Sequence, residues 1–227
     1  MSLQRAAARA GGAVLASATQ GVASLRPASK PLHPDGEVVD GRVFRRGSDV
    51  PTGVPWLDEA GEDDVVVRRS RAIGLPHRLP DIHGLAVRVG GGGGDGDILF
   101  ATTGFGRVTR FLLTASRHPR SRPLTTLLPY ETDSGPVLLA AEGVEPGSYD
   151  LSWARPSGEW HLFGVLLLST TRSDDSHISF DPVARQIPGL RQYPSVRRLR
   201  APAYRRARRS RTATEPTEEI HHAHQVH

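Results

Sequence analysis

Five consecutive glycines, Gly90 to Gly94, stand between the apolar runs Leu85–Val89 and Ile98–Ala101. A stretch without side chains suits neither a helix interior nor a strand interior. The two runs therefore read as strands and the glycines as the loop of a hairpin. Asp95 is the one side chain in that loop, which places the loop at a solvent-exposed tip. Upstream, Val65-Val66-Val67 supplies a third β-like run, followed at once by Arg68, Arg69, Ser70 and Arg71. Side chains of a strand alternate between its faces, so Arg68 and Ser70 share one. If that face is the interior, it forms a polar site suited to an acidic or hydrogen-bonding ligand.

Short β-like runs separated by glycine and proline continue on both sides. Glu37–Phe44 reads as a strand. Asp49–Glu62 reads as a loop with Pro51, Gly53 and Pro55, anchored by Trp56 and Leu57, and Val108–Ser116 as a further strand. Leu124–Tyr130 and Val137–Ala141 flank the turn Glu131–Gly135, and Tyr149–Ala154 and Trp160–Ser169 flank Arg155–Gly158. Eight or so strands in about 140 residues predict a mainly β fold, a closed or nearly closed antiparallel β-barrel. Closure also removes exposed strand edges.

Residues 30–185 form the expected barrel domain. Residues 1–29 are rich in alanine and read as a helical arm, ended by Pro31 and Pro34. Residues 186–211 are expected to carry an arginine-rich helix laid over the barrel, with Leu199, Ala203, Tyr204 and Ala207 at near-helical spacing. Residues 212–227, with His221, His222, His224 and His227, read as a disordered tail.

Charge is segregated along the chain. Of 29 basic residues, four lie in residues 1–30 and nine in 191–211, stretches without an acid. The remainder carries 16 basic against 24 acidic residues, a net of −8. An acidic body with basic ends is not the composition of a specific nucleic-acid-binding domain. No stretch reaches the roughly 18 apolar residues of a transmembrane helix. The Gly11–Ala23 core holds too few strongly apolar residues for a secretory signal, so a cytoplasmic protein is expected. The chain has no cysteine, which excludes disulfides and thiolate metal sites.

Several familiar sites fail on spacing. Gly104-Phe105-Gly106 lacks the third glycine and the helix of a dinucleotide loop. No Gly-x-Ser-x-Gly elbow is present. His77, Asp81 and His83 read as part of a proline-rich crossover rather than as metal ligands. His33 stands between Pro31 and Pro34, ahead of Asp35-Gly36 and just before the first strand.

Taken together, four segments in order resemble the distal half of the haem catalase core. The first is Lys30-Pro31-Leu32-His33 with Gly36 and Gly41, and the second is Val67-Arg68-Arg69-Ser70 with Gly74. The third is Asp81, Gly84, Leu85, Ala86, Val87 and Arg88, and the fourth is Asp97-Ile98-Leu99. They cover about residues 30–105.

The resemblance implies a catalase-like barrel that binds haem and acts as an oxidoreductase on peroxide or an organic hydroperoxide. It implies a small-molecule substrate and leaves room for a homo-oligomer. His33 would be the distal acid/base, with Ser70 orienting its imidazole. Lys30 and Arg68 would face the haem propionates. The family's distal asparagine falls on Ala101, with the Thr102 hydroxyl beside it, so efficient catalase turnover is not expected. The proximal tyrosinate would come from Tyr193 or Tyr204, in a segment with Pro194, Arg198, Arg200 and Pro202. Two other readings stand beside it. One is a haem-free barrel that binds a small anionic ligand through His33, Arg68 and Ser70. The other is a phosphodiesterase-type hydrolase that uses Arg68 for phosphate and His33 as base.

Overall fold

The computed structural model describes residues 36–71, 79–90, 95–172, 178–196 and 198. The expected N-terminal arm, Lys30, His33, His77, Tyr204 and the histidine-containing tail lie outside the described residues, as does most of the expected basic helix.

The chain is mainly β. In order, the strands are β1 (Glu37–Arg45), β2 (Gly61–Arg71), β3 (His83–Gly90), β4 (Gly96–Thr102), β5 (Leu124–Thr125), β6 (Tyr130–Thr132), β7 (Gly135–Glu145), β8 (Ser148–Ala154), β9 (His161–Arg172) and β10 (Arg191–Gln192). Every pairing between them is antiparallel. Following neighbours gives β7-β5-β4-β3-β2-β1-β9-β8, and β8 pairs back onto β7. Eight strands thus close on themselves as a barrel. β6 and β10 extend the sheet beyond the closed ring.

The hairpin expected around the glycine run is present: Val89 pairs with Gly96 and Leu85 with Phe100. Alternation is regular along β3, where His83, Leu85, Val87 and Val89 are buried and the residues between them are partly exposed. The barrel interior is built from such residues, among them Val39, Val43, Val65, Val67, Leu139, Leu151 and Phe163. Burying side chains of this size contributes about 1.5–3 kcal/mol each, which offsets the chain entropy lost on closure.

One end of the barrel is plugged. A single helical turn, α1 (Pro55–Asp58), buries Trp56 and Leu57 there, and Ile187 and Leu190 join the same core. Gly96 is required at this end, because a Cβ on it would lie 2.5 Å from the Ile187 backbone nitrogen. Gln186 to Leu190 therefore belong to the plug, Arg191–Gln192 form β10, and Pro194–Val196 are helical. The described part of the expected basic helix thus starts later than residue 186.

Two expectations are corrected. Val108–Ser116 is not a strand: Thr109–Phe111 make a 3-10 turn. The cause is Arg110. Its buried guanidinium lies 4.6 Å from the Trp160 ring centre and donates to the carbonyls of Phe105, Gly106 and Arg155 at 3.1–3.2 Å. Those carbonyls draw the backbone round, and burial followed by the charge of Arg107 lowers the Arg110 pKa. Val108 and Leu112 are left 70% and 51% exposed. The second correction concerns the shared face of Arg68 and Ser70. Val65 and Val67 point inward, so alternation turns Arg68 and Ser70 to the outer surface of the barrel.

Candidate functional site

Strand register assembles the outer face. Arg68 pairs with Ala86 and Ser70 with Gly84, while Ala86 pairs with Leu99 and Gly84 with Ala101. Paired residues share a face, so two rows run across three strands: Arg68-Ala86-Leu99 and Ser70-Gly84-Ala101. Three strands make a face about 10 Å wide. All six residues are partly buried. Val38 pairs with Arg68 and extends the first row onto β1. The result is a low apolar strip with one guanidinium and one hydroxyl along it.

Two glycines of the quoted motifs have physical roles here. A Cβ at Gly36 would lie 2.3 Å from Arg68 Nε, so the guanidinium rests against that glycine. A Cβ at Gly84 would lie 2.7 Å from Ser70 Oγ. Any larger residue at either position has to displace the Arg68 or Ser70 side chain. The chain therefore reaches Arg68 three residues after His33.

Thr102 does not join this face. It is fully buried on the inner side, where its Oγ1 accepts the His83 backbone N–H at 3.1 Å. Ala101, its neighbour, stands on the outer face beside Gly84.

Tyr193 borders the strip. Leu127, Leu128 and Val196 form a small core outside the barrel, and Ala101, Leu113 and Tyr193 pack against it. Leu127 holds a φ of 60°, in the left-handed region that a branched residue rarely adopts. Burial, and after it the negative charge of Glu131, raises the Tyr193 pKa above its ordinary value of 10.0. This environment opposes the phenolate that an iron ligand of this kind requires. A phenol whose folded pKa is raised stabilises the fold below its unfolded pKa, and loses that contribution as pH rises through the folded value. We expect an ultraviolet titration to show the Tyr193 phenol ionising above its ordinary value. Glu131→Gln should bring its midpoint down, and Tyr193→Phe should remove that phase.

The inner side of the same wall carries other polar groups. His83 Nε2 lies 2.9 Å from the Ser116 carbonyl. A carbonyl only accepts, so that nitrogen carries the proton and Nδ1 is the basic one. Asp81 is fully buried, accepts the Ile82 N–H at 2.7 Å and lies 3.4 Å from Arg71 Nε. Asp81 and His83 are thus engaged separately. Among the described residues no group of three histidine or acidic side chains is placed to hold a metal.

Sequence reasoning missed the ion pairs that fasten the plugged end of the barrel. Arg88 and Asp97 face each other across the hairpin and form a bidentate pair at 2.7 and 2.8 Å. The glycine loop fixes that register, so the pairing was available from spacing. Arg45 and Asp63 pair at 2.7 Å, through a β1–β2 register that spacing did not give.

No protein-family model matches the chain, and no curated protein matches its sequence. Among the described residues no helix is long and apolar enough to cross a membrane.

Proposed function

We propose that this barrel is a catalase-related protein that binds haem against the outer face of β2–β4 and reduces peroxide or an organic hydroperoxide. The observation that carries the reading is the strip itself. Small residues Gly84 and Ala86 leave a low apolar surface, bordered by Ala101 and the small core it packs against, with Arg68 and Ser70 at its edge.

Tested as a haem seat, the residues present fit in three respects. The strip offers a planar apolar ring a surface to lie on. Arg68 supplies a fixed cation for a carboxylate. Gly36, which packs against Arg68, follows His33 by three residues in the chain. Bound haem would supply the redox iron at which the peroxide bond is broken. In that setting His33 would serve as acid/base for the peroxide proton, Ser70 would orient its imidazole, and Lys30 and Arg68 would face the propionates. Thr102 has no part, because it faces the barrel interior. Tyr204 would hold the iron in preference to Tyr193, whose surroundings disfavour the charged form. The proposed setting is the cytoplasm, on the composition of residues 1–29.

Ala101 provides the test of chemistry. It stands beside Gly84 where the resembled pattern has an amide donor. The haem-supplied chain should consume cumene hydroperoxide and hydrogen peroxide slowly. Ala101→Asn should raise hydrogen peroxide turnover roughly tenfold or more, since a positioned donor is commonly worth that much. Haem-loaded protein with no peroxide consumption, in the native chain and in Ala101→Asn alike, would end the oxidoreductase reading. Cleavage of bis-nitrophenyl phosphate by the same samples would move the assignment to the hydrolase.

The Arg68 guanidinium at the edge of the strip also supports a second reading, in which the face holds a small anion without iron. In that case Arg68→Ala abolishes anion binding, and added haem produces no retained absorption.

A further inference from the structure

We propose that the end of the barrel opposite α1 is a second binding site, for a small organic carboxylate with a short apolar body. The inference does not rest on the haem reading, because the site lies inside the wall whose outer face carries the proposed haem strip. Ser70 and Gly84, at the rim, are the residues common to the two.

A cleft of about 450 Å³ opens here, within the usual range for a small-molecule pocket in a barrel mouth. Its floor is apolar. Leu85 and Leu124 are each 2% exposed and Tyr149 3%. His83, also buried, adds a single basic nitrogen, since its Nε2 proton is committed to Ser116. The cations stand higher. Arg69, Arg71 and Arg117 line the cleft, with Glu37 as the one acid among the described residues. Arg69 is paired with Glu37. Arg71 is held by Asp81 and donates to the Leu79 carbonyl at 3.1 Å. Salt bridges fix these two guanidinium groups in place, and a guanidinium has five N–H donors to share. Arg117 is exposed and adds a third positive charge at the rim.

Apolar floor and cationic rim sort ligands by shape. A bare inorganic anion gains nothing from Leu85, Leu124 and Tyr149. An alcohol of the same length gains nothing from the arginines. A medium-chain carboxylate uses both, with its tail toward the floor and its head among the guanidinium groups.

The test uses the full chain without added haem. Anilinonaphthalene sulfonate serves as the fluorescent probe, competed by octanoate, octanol and inorganic phosphate. Octanoate should displace the probe at concentrations about tenfold lower than octanol, and phosphate should not displace it at matched ionic strength. Arg117→Glu, an exposed change that leaves the melting temperature in place, should weaken octanoate roughly fivefold. Ala86→Arg, which obstructs the outer strip, should leave octanoate binding unchanged. Equal competition by octanol or phosphate, or indifference to Arg117→Glu, would overturn the proposal. Loss of octanoate binding in Ala86→Arg would do so as well, by assigning the ligand to the outer face.

Discussion

Asp97→Ala is expected to cost the fold about 3–5 kcal/mol, the usual penalty for removing one partner of a buried ion pair. The Asp97 side chain is fully buried and Arg88 is largely so. Asp97 accepts two N–H groups from Arg88 and the backbone N–H of Asp181 at 2.5 Å. Arg88 also donates to the Ser179 carbonyl at 2.6 Å and lies over the Phe180 ring. A single carboxylate thus ties the β3–β4 hairpin to the segment that plugs the barrel. Its loss leaves a guanidinium without its main partner and a backbone donor unsatisfied. Urea unfolding should show a lower midpoint for Asp97→Ala. The double change Arg88→Met with Asp97→Leu should recover most of the loss, since replacing both charges removes the stranded one. A double variant no more stable than the single one would show that geometry, rather than uncompensated charge, sets the cost.

Arg45→Ala should be comparably damaging, again about 3–5 kcal/mol. Arg45 and Asp63 are 6% and 0% exposed in their side chains. The Asp63 Oδ2 that accepts from Arg45 also accepts the Trp56 indole N–H at 3.0 Å. Asp63 Oδ1 has no hydrogen-bond partner among the described residues. Arg45 further donates to the Glu59 carbonyl at 2.8 Å, so it fastens α1 across the closed end. Without it, Asp63 is a buried carboxylate held by one indole. Asp63→Asn in the Arg45→Ala background should restore part of the stability, because the stranded charge is then gone. If Arg45→Ala unfolds at the native midpoint, the pair has no structural weight.

Local patterns showed the barrel because they carry its physics. The glycine run could only be a loop, and the alternation in Leu85–Val89 could only be a half-buried strand. Val108–Ser116 misled because its β-forming residues are overruled by distant partners: Trp160 and the carbonyl of Arg155 hold Arg110 in a turn. The same limit applied to the site. That Arg68 and Ser70 share a face follows from strand geometry alone. Which side of the barrel that face lies on depends on where Val65 and Val67 pack, and that is decided by closure of the whole sheet. Thr102 was separated from Ser70 by one step of register. The cationic mouth was not visible at all. Arg69, His83, Arg117 and Tyr149 come from four separate parts of the chain and meet only when the strands close.

The most direct test of the outer strip as a haem seat is one absorption spectrum. The full chain would be incubated with one equivalent of haem, passed through a desalting column and compared with Ala86→Arg treated in the same way. A retained Soret band in the native chain, lost in the Ala86→Arg chain at unchanged melting temperature, is the predicted result. No retained band in the native chain, or an equal band in both, would contradict it.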